Sequence, residues 1–254
     1  MTIFAAPDKT GREPQTGLAG DISDMVKAAL PMLFAQSARS QQTVVGASEV
    51  GTECDRQLAY KVLNWPKVEG CGHDPLPAIV GTAAHAWLAE KFRTLDRMLG
   101  GQRFLVEEEV NAGPVPGTVD LYDIRRRAVI DWKFVGVDAM RVAKRDGPKA
   151  TYRTQAHLYA AGLQAAGEMP DDVAIVYFSR GGLLSGLHVW TEPYDAHLAI
   201  AALERLEQVT VAAAFVDNDG RGLQSIEATP GDACHWCPYH MPGSEDLAAG
   251  CPGK

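Results

Sequence analysis

Apolar positions along the chain repeat with two different periods, and their order sets the expected fold. Helical spacing runs from about Ile22 to Ala38 with a bend near Pro31, from Asp55 to just before Pro66, and from Ala78 to Leu99 ahead of Gly100 and Gly101. It returns from about Thr151 to Ala166 and from Asp195 to Phe215. Between these lie strand patterns: RFLVEEEV (103–110), GTVDLYD (117–123), AVIDWKFV (128–135), DVAIVYFSR (172–180) and LSGLHVWTEP (184–193). Helix, three strands, helix and further strands predict an α/β (α+β) fold, a mixed central sheet with helices on its faces. Residues 1–20 read as a loose tail, 21–78 as a helical region, 79–217 as the core, and 218–254 as an irregular cysteine-rich segment.

Composition narrows the class. With 254 residues, 46% hydrophobic and 22% charged, the chain has the profile of a globular protein with a sizeable core. No apolar run approaches the ~18 residues of a membrane span, and the N-terminus lacks a signal-peptide pattern, so a cytoplasmic location without membrane contact is expected. A net charge of −8 disfavours a protein that simply coats nucleic acid, but it permits an enzyme with a local basic groove. Residues 141–153 supply such a patch, read as a loop: Arg141, Lys144, Arg145, Lys149 and Arg153. Five cysteines, an odd number, do not form a disulfide framework and point to metal ligation.

The unusual chemistry is in the second and third strands. Asp120, Asp131 and Lys133 sit inside strands, where such residues are disfavoured. A turn centred near Arg125 and Arg126 makes Asp120 and Asp131 cross-strand neighbours, with Cβ atoms ~5 Å apart. Lys133, two residues on, shares their face. Val119, Leu121, Ile130, Trp132 and Phe134 on the other face read as the core side. Two carboxylates opposite each other are destabilising unless a cation lies between them.

Gly117-Thr-Val-Asp120 followed by Asp131-Trp-Lys133 resembles the signature of the PD-(D/E)xK nuclease superfamily, and the element order resembles its restriction-endonuclease-like core. The nearer likeness is to RecB-type nuclease domains. Their upstream helix resembles GTAAHAWLAEKF, which assigns His85 as a metal ligand, and their Q-x3-Y motif resembles QAHLYAAGL, which assigns Gln155 and Tyr159. His157 and Tyr152 are neighbouring competitors for a DNA-facing role. Cys234 and Cys237 form a C-x2-C with Cys251 beyond it, and Cys54 lies far upstream in a C-x-R-x3-Y pattern. This layout resembles the iron–sulfur nucleases of the CRISPR-associated and bacteriophage type, in which four cysteines hold a [4Fe–4S] cluster that staples a helical and C-terminal subdomain. Cys251 is farther from the pair than in many relatives. His235 or His240 in its place would favour zinc, and a structural zinc on four thiolates is the alternative to the cluster. Cys71 is left over as a free thiol.

The resemblance implies a metal-dependent DNA exonuclease acting on single-stranded DNA from an end. Mn²⁺ or Mg²⁺ would be held by His85, Asp120, Asp131 and the backbone carbonyl of Trp132. Lys133 would stabilise developing negative charge, Gln155 and Tyr159 would hold the DNA strand, and the basic patch would contact phosphates. The alternative is a catalytically impaired DNA-binding or adaptor module of a recombination or CRISPR-type complex. For a phage-encoded chain the location would be the host cytoplasm. No G-x4-G-K-[ST] motif occurs, so any motor would be a separate partner.

Overall fold

The computed structural model describes residues 17–36, 42–68 and 74–253. The chain divides into two units, residues 1–42 with 74–76, and residues 43–73 with 77–254. In the first unit the described structure is helix α1 (Leu18–Ala35), which contains Pro31 and starts four residues earlier than the apolar spacing predicts. Cys71 lies outside the described residues.

The larger unit is built on one five-stranded sheet in the order β1 (Phe104–Ala112), β2 (Val115–Asp123), β3 (Ala128–Val135), β4 (Asp172–Ser179), β5 (His188–Pro193). Tight turns make β1–β2 and β2–β3 antiparallel. β3 and β4 run parallel, because helices α5 (Val137–Asp146) and α6 (Ala150–Ala165) fill the connection between them. β5 then closes the sheet antiparallel to β4. The remaining helices are α2 (Ala47–Val50), α3 (Asp55–Val62), α4 (Leu76–Leu99) and α7 (Ala196–Ala213). The predicted mixed sheet with helices around it is what the chain forms.

Both faces of the sheet are covered. On one, Val129, Val135, Val173, Ile175 and Tyr177 pack with Ala156, Leu158, Tyr159 and Leu163 of α6 in the main core. On the other, Leu121, Trp132 and Val176 form a smaller cluster with Phe104, packed by Leu88 and Phe92 of α4. Phe92 stacks on Trp132 at 5.5 Å. The sequence reading placed the core only behind Trp132. In fact the larger core lies on the face that carries Asp131 and Lys133, because the buried residues of α6 land there. Tyr122 and Val129 are fully buried on that side, whereas Thr118 is exposed.

Residues 141–146 are also not a loop. They lie in α5, and only Gly147–Lys149 separate it from α6. Gly147, with φ of 83°, ends α5 in a conformation that glycine adopts at little cost.

Candidate active site

The turn between β2 and β3 fixes the register of everything beyond it. Asp123 is buried, and its Oδ1 accepts hydrogen bonds from the backbone N–H groups of Arg125 and Arg126, both at 3.1 Å. Its Oδ2 accepts from Arg103 at 2.8 Å and from Arg126 at 2.7 Å. Pinned this way, the strands pair Asp123 with Ala128, Tyr122 with Val129 and Leu121 with Ile130. The next step of that register joins Asp120 and Asp131, and there the ladder opens. The N–H of Trp132 donates instead to Asp120 Oδ2 at 2.7 Å. The predicted turn and register hold, and the two carboxylates mark the point where the strands part.

Three side chains meet at this opening. His85 of α4 donates from Nδ1 to Asp120 Oδ1 at 3.0 Å, and its ring lies 5.8 Å from that of Phe134. Glu107 of β1 is the third. The ligand atoms of His85, Glu107 and Asp120 all lie within 4.8 Å of one another. Glu107 carries no sequence signal of its own, being one of three consecutive glutamates in the strand. Burial opposes a charge on His85, but the hydrogen bond and charge of Asp120, with the charge of Asp131, outweigh it and hold the imidazole pKa above its ordinary value.

Asp131 heads a second chain of contacts. It is fully buried, and Lys133 Nζ donates to its Oδ1 at 2.9 Å while lying 2.7 Å from Oδ2, which takes no hydrogen bond. The same ammonium donates to Gln155 Oε1 at 2.9 Å and lies 4.6 Å from the ring centre of Tyr152. Gln155 Nε2 in turn donates to the Tyr159 hydroxyl at 2.6 Å. The Q-x3-Y pair is therefore buried and braces Lys133, where the resemblance implied residues that grip DNA. His157 is buried as well, between Glu192 at 2.7 Å and the N–H of Asp195. Gly117 belongs to the brace, since a Cβ there would lie 2.6 Å from the Tyr159 ring.

Burial holds the Asp131 carboxyl above the ordinary carboxylate range, assisted by the charge of Asp120 and opposed chiefly by Lys133. Asp131 and His85 both bind their proton more tightly folded than unfolded. Each therefore contributes stability at low pH that is lost as pH rises through its folded value. The metal-free protein is expected to melt several degrees lower at pH 8 than at pH 5. Asp131→Asn should flatten that slope. Differential scanning fluorimetry across pH checks this, and equal slopes for both proteins would count against it.

The four predicted cluster ligands also converge. Cys54, Cys234, Cys237 and Cys251 line one small pocket with Tyr60 and His240, and none of the four is in a disulfide. Cys54 caps α3, its sulfur accepting from the N–H of Gln57. Cys251 is buried and held by backbone hydrogen bonds to Tyr239 and Met241, both 2.7 Å. Burial, with the other three thiols, pushes the Cys237 thiol up to about 11. The segment is tied to α3 by Arg56 to Ile226, by the Tyr60 hydroxyl to Leu247 at 2.6 Å, and by Tyr60 stacked on Tyr239.

The predicted basic residues are dispersed. Arg141 pairs with Asp138, Arg145 with Asp146, and Arg153 with Glu192. Lys144 reaches the carbonyl of Gly186 at 3.4 Å. Lys149 lines an open cleft with Lys67, Trp236, Lys61 (paired with Glu49 at 3.0 Å) and the acidic Glu53 and Asp232.

A mixed sheet that opens between two aspartates, with a lysine two residues past the second, is the arrangement that the PD-(D/E)xK resemblance implies. The model of the PD-(D/E)XK nuclease superfamily matches residues 58–241, well over half of the chain, and the chain belongs to that superfamily. Among solved structures, it is similar to an alkaline exonuclease from Laribacter hongkongensis, at 12% identity and a TM-score of 0.46, over 69% of this chain and 90% of that one. It is also similar to a phage-related exonuclease from Haemophilus somnus 129PT, at 12% identity and a TM-score of 0.41, over 67% and 79%. No curated protein sequence matches the chain. Among the described residues, no helix is long and apolar enough to cross a membrane.

Proposed function

We propose that this protein is a metal-dependent deoxyribonuclease that degrades single-stranded DNA from an end and carries a structural [4Fe–4S] cluster. The observation that carries the reading is the meeting of His85 with Asp120 beside the buried Asp131–Lys133 pair. The donor set fits a divalent cation. An imidazole nitrogen and carboxylate oxygens suit Mn²⁺ or Mg²⁺, and Asp131 Oδ2 is a buried acceptor without a hydrogen bond. His85, Asp120, Asp131 and the Trp132 carbonyl would hold the ion. When bound, it supplies Lewis-acid polarisation of the phosphate and activation of water.

The chain's own groups do the rest. Lys133, fixed by Asp131, Gln155 and Tyr152, places a positive charge where the phosphate oxygens gain negative charge. Water oxygen bonds to phosphorus, the bond from phosphorus to the leaving sugar oxygen breaks, and that oxygen takes up a proton. Single-stranded DNA is favoured by the cleft that shares the first turn of α6 with the site. Its Lys67 and Lys149 suit phosphates, whereas Lys61 is paired with Glu49, and the acidic Glu53 and Asp232 also line it. The exposed indole of Trp236 suits stacking on an unpaired base.

The four thiols that line one pocket supply the donor set a [4Fe–4S] cluster needs, as the resemblance implies, and a structural zinc on the same thiolates is the alternative. Reduced thiols fit the cytoplasm, beside recombination or CRISPR-type partners.

The test is a cleavage assay with end-labelled DNA and Mn²⁺. Linear single strands should be shortened progressively from an end, while covalently closed single-stranded circles stay intact. Cutting of the circles would remove the exonuclease assignment, and inert linear DNA would remove the enzyme.

A further inference from the structure

The hairpin of β1 and β2 turns about Gly113 and Pro114, and its register sets Val106 against Leu121 and Glu108 against Val119. Glu107 thus faces Asp120, yet the two make no ladder pair. At that position Glu107 has φ of 54°, and the β1–β2 ladder skips the pair opposite the first aspartate. Glu108 and Glu109 are exposed, whereas Glu107 is half-buried, with its carboxylate within 4.8 Å of the ligand atoms of His85 and Asp120. Asp131 is not in that close group. Lys133 holds it, with one oxygen taking no hydrogen bond. Glu107 and Asp120 together therefore bring two carboxylates to one imidazole, with a third carboxylate buried beside them.

We infer that Glu107 is a ligand of the divalent cation, completing with His85 and Asp120 a three-donor set that Asp131 joins. This rests on the metal-dependent nuclease reading above. The electrostatics favour it. Two carboxylates brought to one imidazole, with Asp131 beside them, form a donor set whose negative charge a divalent cation matches. A third oxygen donor also suits a hard cation, which prefers several carboxylate and water oxygens. Glu107 would thus set the affinity for the cation.

The test is Mn²⁺ binding to the DNA-free full-length protein, read by the loss of the free-ion electron paramagnetic resonance signal. Glu107→Gln should weaken Mn²⁺ binding by about tenfold or more. Glu109→Gln, an exposed glutamate on the same strand, should bind as wild type. Glu107→Asn removes the charge with a residue that tolerates positive φ, and circular dichroism melting confirms that each variant is folded. Mn²⁺ affinity equal to wild type in both folded Glu107 variants would overturn this assignment alone. A wild-type protein that binds no Mn²⁺ would overturn the metal-dependent reading itself, and this inference with it.

Discussion

Lys133→Ala is expected to slow the first turnover of DNA cleavage by about two to three orders of magnitude, the usual cost of removing one preorganised charge stabiliser. The same change should also destabilise the metal-free protein, because it strands a buried carboxylate. Lys133 is the donor to Asp131, and the second oxygen of Asp131 already lacks a hydrogen bond. Removing one partner of a buried pair costs about 3–5 kcal/mol, whereas replacing both by neutral groups is often close to neutral. The double variant Asp131→Asn, Lys133→Met should therefore melt nearer to wild type than Lys133→Ala does, while remaining inactive. Single-turnover cleavage and thermal melts on the same preparations separate the two effects. A Lys133→Ala protein that cleaves within about threefold of wild type would exclude the ammonium from the chemistry, since even a single lost donor costs far more. A double variant that melts below the single one would exclude the stranded-charge explanation.

How far the sequence foretold this site depends on how local each determinant is. The register of β2 and β3 was legible because one side chain sets it. Asp123 binds the next N–H groups and fixes a four-residue turn, so counting back from Arg125 and Arg126 places Asp120 against Asp131. Period-two parity then put Lys133 on the same face. The same counting about Gly113 and Pro114 would have placed Glu107 opposite Asp120, but three successive glutamates conceal which one turns inward. What decides it is the positive φ of Glu107, a backbone feature with no residue-type signal. The roles of Gln155 and Tyr159 were hidden for a different reason. Four-residue spacing shows that they share a helix face, but not that α6 lies against Asp131 and Lys133. The basic run 141–153 misled in the opposite direction, since its charges are paired by Asp138, Asp146 and a glutamate 39 residues away on β5. Cysteine spacing and the resemblance pointed to four candidate ligands, whereas their convergence on one pocket depends on α3 docking against a segment near the other end of the chain.

That docking leads to the second large effect. The segment after α7 has little regular structure, and its buried cluster is small: Tyr60, Leu223, Cys237, Tyr239 and Cys251. So slight a core cannot by itself hold the segment against the entropy of the chain. A centre bound by Cys54 and by Cys234, Cys237 and Cys251 closes a loop of about 180 residues. On the chain-entropy relation for cross-links this is worth about 5 kcal/mol. Cys54→Ala or Cys237→Ala should therefore lower the melting temperature by roughly 10–20 °C for a chain of this size. The loss should fall first on the cleft that Thr229, Pro230, Trp236 and Lys149 line, so single-stranded DNA binding fails before the sheet does. Protein purified without oxygen should be brown, with iron and acid-labile sulfide in equal amounts. Stoichiometric zinc in a colourless protein would overturn the iron–sulfur assignment but keep the staple. Full thermal stability in both cysteine variants would overturn the staple as well.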